Sequence, residues 1–167
     1  MKKGALVFVA ASVIVASLIV LGAAASREKL TAESAWARFV GSWVNMEYAG
    51  AQPYVQMLVV KPAFTGEDWV HPTDPKPDGT WSGKPKKVWT DREGNTFLQF
   101  FNSYTEPITA SGVPTGTARV LIRMDRKGEV LEFIGTIGAE EGVYPEKIDP
   151  DAKIEYFSVY YIYHRKS

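Results

Sequence analysis

The most regular hydrophobic pattern in the chain lies near its middle. Ala118, Val120, Ile122 and Met124 alternate with Arg119, Leu121, Arg123 and Asp125, the period-two signature of a half-buried strand. Asp125-Arg126-Lys127-Gly128 then turns the chain into Glu129–Ile137, where Leu131, Phe133 and Ile137 share one face, so the two runs read as a β-hairpin. Further strand-like runs are Phe39–Tyr48, Tyr54–Lys61, Lys87–Thr90, the aromatic Thr96–Tyr104, and the tyrosine-rich Lys153–Arg165. The polar stretch Asp91–Asn95 reads as a turn. Ser26–Arg38 holds good helix formers and predicts a short helix ending near Trp36, with Thr31 available as a cap. No later segment keeps a helical period for three turns. Pro62–Lys86 carries five of the ten prolines together with Gly66, Gly79 and Gly83, and reads as one long irregular loop.

Seven or more antiparallel strands at fairly regular spacing predict an all-β sandwich or barrel. A long final strand pairing with the first would close a barrel and leave no exposed edge.

The amino terminus breaks the pattern. Lys2 and Lys3 precede an uncharged run from Gly4 to Ala25, in which only Ser12 and Ser17 carry polar side chains, and small residues Ala23–Ala25 lead into polar Ser26–Lys29. This is the layout of a signal peptide over residues 1–25, with residues 26–167 as the mature domain. An uncleaved membrane anchor over residues 4–25 is the alternative. Either way the expectation is an exported protein, periplasmic or secreted, that touches the membrane only through this segment.

Composition sharpens that expectation. The 19 basic and 19 acidic residues balance, but the leader holds two lysines and no acid, so the mature domain is slightly acidic and nucleic acid is not an expected partner. The absence of cysteine excludes disulfides, thiolate chemistry and lipid attachment through cysteine. An exported domain of this kind must rely on packing, and its 13% aromatic content supplies the means.

Gly41-Ser42-Trp43, following a short helix and opening the first strand, resembles the Gly-x-Trp signature of the lipocalins and related calycin barrels. In that family the tryptophan closes the barrel floor and an arginine late in the final strand packs across the indole; Arg165 stands at the matching place. A cation–π contact of this kind contributes about 0.5–2 kcal/mol. The resemblance implies a divergent bacterial lipocalin-like, up-and-down antiparallel barrel of about eight strands behind a short N-terminal helix, often with an apolar cavity. It also implies that Phe157, Val159, Tyr161 and Tyr163 point inward with Arg165. The chain departs from the family in lacking the Thr-Asp-Tyr motif and the cysteines of many secreted members.

The candidate ligand-binding residues are Trp69, Trp81, Phe100, Tyr161 and Tyr163, with Gly41, Trp43 and Arg165 as the structural motif. Trp69 and Trp81, within the long loop, either fold over the barrel mouth or pin the loop to the outer wall. Trp89, Phe97, Phe101 and Tyr104 read as core. His71 and His164 are the two histidines, and Glu67, Asp68 and Asp74 near His71 lack a recognised ligand spacing, so no metal or cofactor is expected. The acidic stretch Glu140–Asp151 lacks the spacing of a calcium loop and reads as a solvated turn. There is no nucleophile elbow or phosphate loop, hence no catalytic residue to name. The leading expectation is a non-enzymatic binding protein for a small hydrophobic or amphipathic molecule. A filled-barrel envelope module is the alternative, and an enzyme using Glu67, Asp68 or His71 a distant third.

Overall fold

The computed structural model describes residues 30–50, 55–106, 116–137, 144–149 and 158–167. The chain enters the fold through a capping box. The Thr31 hydroxyl accepts from the Ser34 amide at 3.1 Å, and the Ser34 hydroxyl accepts from the Thr31 amide at 3.0 Å. Two of the orphan donors at the helix start are thereby satisfied. Helix α1 (Ala32–Phe39) buries Ala35, Trp36 and Phe39 and runs three residues past Trp36, because Phe39 completes its apolar stripe.

Nine strands follow: β1 (Gly41–Gly50), β2 (Met57–Lys61), β3 (Thr65–Trp69), β4 (Gly79–Ser82), β5 (Pro85–Thr90), β6 (Thr96–Glu106), β7 (Thr117–Met124), β8 (Val130–Ile137) and β9 (Ser158–Arg165). Every pairing is antiparallel. β4 and β5 both lie along β6, as two halves of one bent strand interrupted at Gly83, whose amide donates to the Phe64 carbonyl at 2.8 Å. β9 pairs with β1, so the ring closes with eight strand positions. The all-β barrel with one short helix is therefore the observed fold, and its architecture is consistent with a lipocalin-like barrel.

Short turns join the strands at the helix end. In two of them an aspartate takes the place of missing backbone partners. Asp125 accepts from the amides of Glu129 (2.7 Å) and Val130 (2.9 Å), and Asp91 from those of Glu93 (3.0 Å) and Asn95 (2.9 Å). Partial burial alone would raise both carboxyls, but these hydrogen bonds outweigh it and hold each below the usual carboxylate range.

Pro62–Lys86 is not one loop. It contains β3, β4 and the start of β5, while Pro72, Pro75 and Pro77 fall in the single connection between β3 and β4. The strands escape a pattern search because their buried positions carry Gly66, Asp68, Gly79 and Trp81 rather than aliphatic residues. Gly66 has a packing reason: the Trp81 indole lies directly on it across the β3–β4 pair, where any Cβ would collide.

The core lies inside the barrel and continues under α1. On the outer wall, Gln99 donates to the Pro145 carbonyl at 2.8 Å and holds residues 144–149 against β6. Phe157, Glu140, Glu141, Asp151, the start of the Lys153–Arg165 run and the leader over residues 1–25 lie outside the described residues. Within the acidic stretch, Asp149 is paired with Lys147 at 2.7 Å.

Candidate functional site

Inward-facing positions change systematically along the barrel. From the helix end, β7 presents Met124, Ile122, Val120 and then Ala118, a steady loss of volume. β8 presents Leu131, Phe133 and Gly135, and β9 presents Arg165, Tyr163, Tyr161 and Val159. Antiparallel registry aligns Val120 with Gly135 and Gly135 with Val159, and the Phe133 ring lies over Gly135 where a Cβ would stand.

The helix end is sealed by the predicted motif. The Arg165 guanidinium lies 4.3 Å from the Trp43 ring centre. Its Nη2 donates to the Arg38 carbonyl (2.7 Å), Nη1 to Val40 (3.1 Å) and Nε to Gly128 (2.7 Å). Trp43 Nε1 donates to the Phe39 carbonyl at 2.8 Å, so Trp43 and Arg165 together satisfy the carbonyls left over where α1 ends. Gly41 is required on two counts: its φ is +142°, and a Cβ there would stand 2.9 Å from Arg165 Nη1.

Trp81 and Phe100 are stacked with ring centres 5.8 Å apart. Trp36 from α1 meets both edge-on, at 6.1 and 5.7 Å, and meets Phe64 at 5.4 Å. Tyr161 contacts Tyr163 (5.5 Å) and Phe133 (5.8 Å). Four of the five candidate binding residues, Trp81, Phe100, Tyr161 and Tyr163, thus lie inside the barrel. Trp69 does not join them. It follows inward-facing Asp68 and aligns with Met57, which places it on the outer side of the wall. Neither tryptophan belongs to an irregular loop.

The two ring groups are bridged by a polar set that pattern reading passed over. Asp68 is only 5% exposed, and its carboxylate accepts from Trp81 Nε1 and from the Tyr104 hydroxyl, each at 2.9 Å. Burial pushes Asp68 up from 3.8 to about 6 despite these two hydrogen bonds, and nearby Asp78 pushes the same way. Burial and the Asp68 charge raise Tyr104 well above its ordinary value, a rise that nearby Asn102 partly opposes, while Tyr161 stands close enough to add to it. Asn102 is 1% exposed, and its Oδ1 has no hydrogen-bond partner among the described residues. The one signal available from sequence was parity: Asp68 falls in step with Gly66, and Asn102 and Tyr104 fall in step with Leu98 and Phe100.

His71 and His164 are both exposed. Among the described residues no three acidic or histidine side chains converge on one point. A concavity lies outside the barrel, a cleft of about 430 Å³ between α1 and the β2–β3 turn, lined by Glu33, Trp36, Ala37, Val40, Pro62, Ala63 and Phe64. Comparison with known protein families, with curated proteins and with solved structures found no match.

Proposed function

We propose that this protein is a divergent lipocalin-like (calycin) binding protein, exported under the direction of residues 1–25, that takes a small amphipathic molecule into the barrel end opposite α1. The observation that carries this reading is the taper of the interior. Bulky side chains fill the helix end, whereas Ala118 and Val159 stand at the far end beside the buried polar groups of Asp68, Asn102 and Tyr104. An apolar wall with a few convergent polar groups is the usual make-up of a small-molecule site.

A second reading draws on the mutual packing of Trp36, Phe64, Trp81 and Phe100. Large rings can fill the interior of an eight-stranded barrel, which would make the protein a ligand-free envelope module. Extraction of the purified mature protein for mass spectrometry, with titration of an apolar fluorescent probe, separates the two. Co-purifying small molecules and a saturable probe signal are expected. Neither would appear with a filled barrel.

A further inference from the structure

The buried polar set at the far end is one-sided in its hydrogen-bonding chemistry, and this gives the proposed ligand a sign. The Tyr104 hydroxyl spends its proton on Asp68, so its oxygen is left to accept. Asn102 on the same strand is buried, and its Oδ1 has no partner among the described residues. Asn45 on β1 repeats the arrangement: its Nδ2 donates to the Val55 carbonyl at 2.8 Å and its buried Oδ1 has no partner among the described residues. Each Asp68 carboxylate oxygen accepts one hydrogen bond and retains capacity for another. The unspent capacity of these groups is therefore for donors.

Among the described residues, the inward positions of this end, Asp68, Asn102, Tyr104, Ala118, Gly135, Val159 and Tyr161, include no lysine or arginine. Arg119 and Arg123 alternate onto the outer wall, and Arg165 is committed to the opposite end. Aromatic faces add to the preference, since Tyr104, Tyr161 and Phe133 present π systems that attract a cation.

Resting on the binding reading above, we infer that the ligand is an amphipathic amine, whose ammonium group donates to Asn102 Oδ1 and the Asp68 carboxylate while its apolar part lies along Ala118 and Val159. A buried unpaired acceptor and an unpaired carboxylate would each be costly in isolation, and one ammonium group, with three donors and a positive charge, satisfies both. An anionic amphiphile such as a fatty acid would instead place its carboxylate beside Asp68 and is disfavoured.

The pairing depends on ionised Asp68. The titratable groups facing it are Tyr104 from β6 and Asp78 from the β3–β4 connection, with Tyr161 from β9 facing Tyr104. Burial and the Asp68 charge keep Tyr104 protonated well above neutrality, so the amine site should weaken as the pH falls below about 6.

Calorimetric titration of the mature protein with decylamine, decanol and decanoate at pH 7.5 tests this, using wild type, Asp68→Asn and Asn102→Leu, with near-ultraviolet circular dichroism as the check on folding. Decylamine is expected to bind at least about tenfold more tightly than decanoate, and to lose about tenfold in Asp68→Asn, which keeps the size and one acceptor oxygen but not the charge. Equal or tighter binding of decanoate overturns the inference. So does amine binding that neither folded variant weakens. If decanol binds as well as decylamine, the amine assignment falls while the binding function stands. If none of the three binds, the binding function itself falls.

Discussion

Arg165 concentrates more structural work than any other described side chain. One guanidinium covers the Trp43 indole and donates to carbonyls of α1 and of the β7–β8 turn, joining both ends of the chain's order in space. Only the planar fork of arginine can serve three carbonyls in different directions, so lysine is a poor substitute. Arg165→Ala is expected to lower unfolding free energy by about 2–4 kcal/mol, with Arg165→Lys recovering less than about half, as read from urea denaturation. This pairing was legible in advance because its partners occupy fixed places, a tryptophan opening the first strand and an arginine ending the last. Asp68 was not legible in the same way. A carboxylate in a short run such as Thr65–Trp69 ordinarily signals solvent, and nothing local announces the Trp81 and Tyr104 donors that let it be buried.

At the scale of elements, the β2–β3 turn is the least comfortable part of the described backbone. Ala63 and Phe64 both hold φ at +59°, a region where side chains other than glycine, asparagine and aspartate are strained. The Phe64 ring compensates by packing on Trp36, with the Lys84 ammonium 5.6 Å from its centre. The two positions should therefore respond oppositely to the same substitution. Ala63→Gly is expected to raise the thermal unfolding midpoint, with a gain of about 1 kcal/mol, because strain is relieved and little packing is lost. Phe64→Gly is expected to lower it, because the lost ring contacts exceed the relieved strain. An Ala63→Gly variant that melts below wild type would show that the turn is not under strain. The neighbouring strands explain why Pro62–Lys86 reads as a loop. Strand pattern depends on apolar residues at inward positions, and β3 and β4 place Gly66 and Gly79 there, Gly66 vacating space that Trp81 fills from the next strand.

For the molecule as a whole, the buried acid predicts an unusual pH profile. Asp68 titrates near 3.8 when unfolded and near 6 when folded. Between those values the folded chain keeps a proton that the unfolded chain releases, so stability falls as pH rises through that window and is level above it. The full loss from Asp68 is about 3 kcal/mol. Asp91 and Asp125 act in the opposite sense: held low by turn amides, they add stability above their unfolded values and lose it as the pH falls further. Unfolding free energy is thus expected to rise as pH drops from 7 towards about 4 and to decline below that. Asp68→Asn should flatten the upper limb and leave the acid limb in place, as measured by denaturant titrations across pH. An upper limb unchanged in that variant would mean that Asp68 is not the group responsible.

What the sequence determined by itself was the sequence-local part of this protein: a period-two pattern that specifies strands, a capped helix, turns stabilised by aspartate, and a Gly-x-Trp start matched by a terminal arginine. These features act over a few residues, or at recognisable ends, and can be read along the chain. The tertiary structure decided the rest. It alone bent β4 and β5 around Gly83, set Trp81 on Gly66, turned Trp69 outward, and brought Asp68, Asn102 and Tyr104 into one buried set. The physical reason is closure. Once eight strand positions form a ring, the face of each residue and the polar partners it meets depend on registry with strands far away in sequence, and no local pattern carries that information.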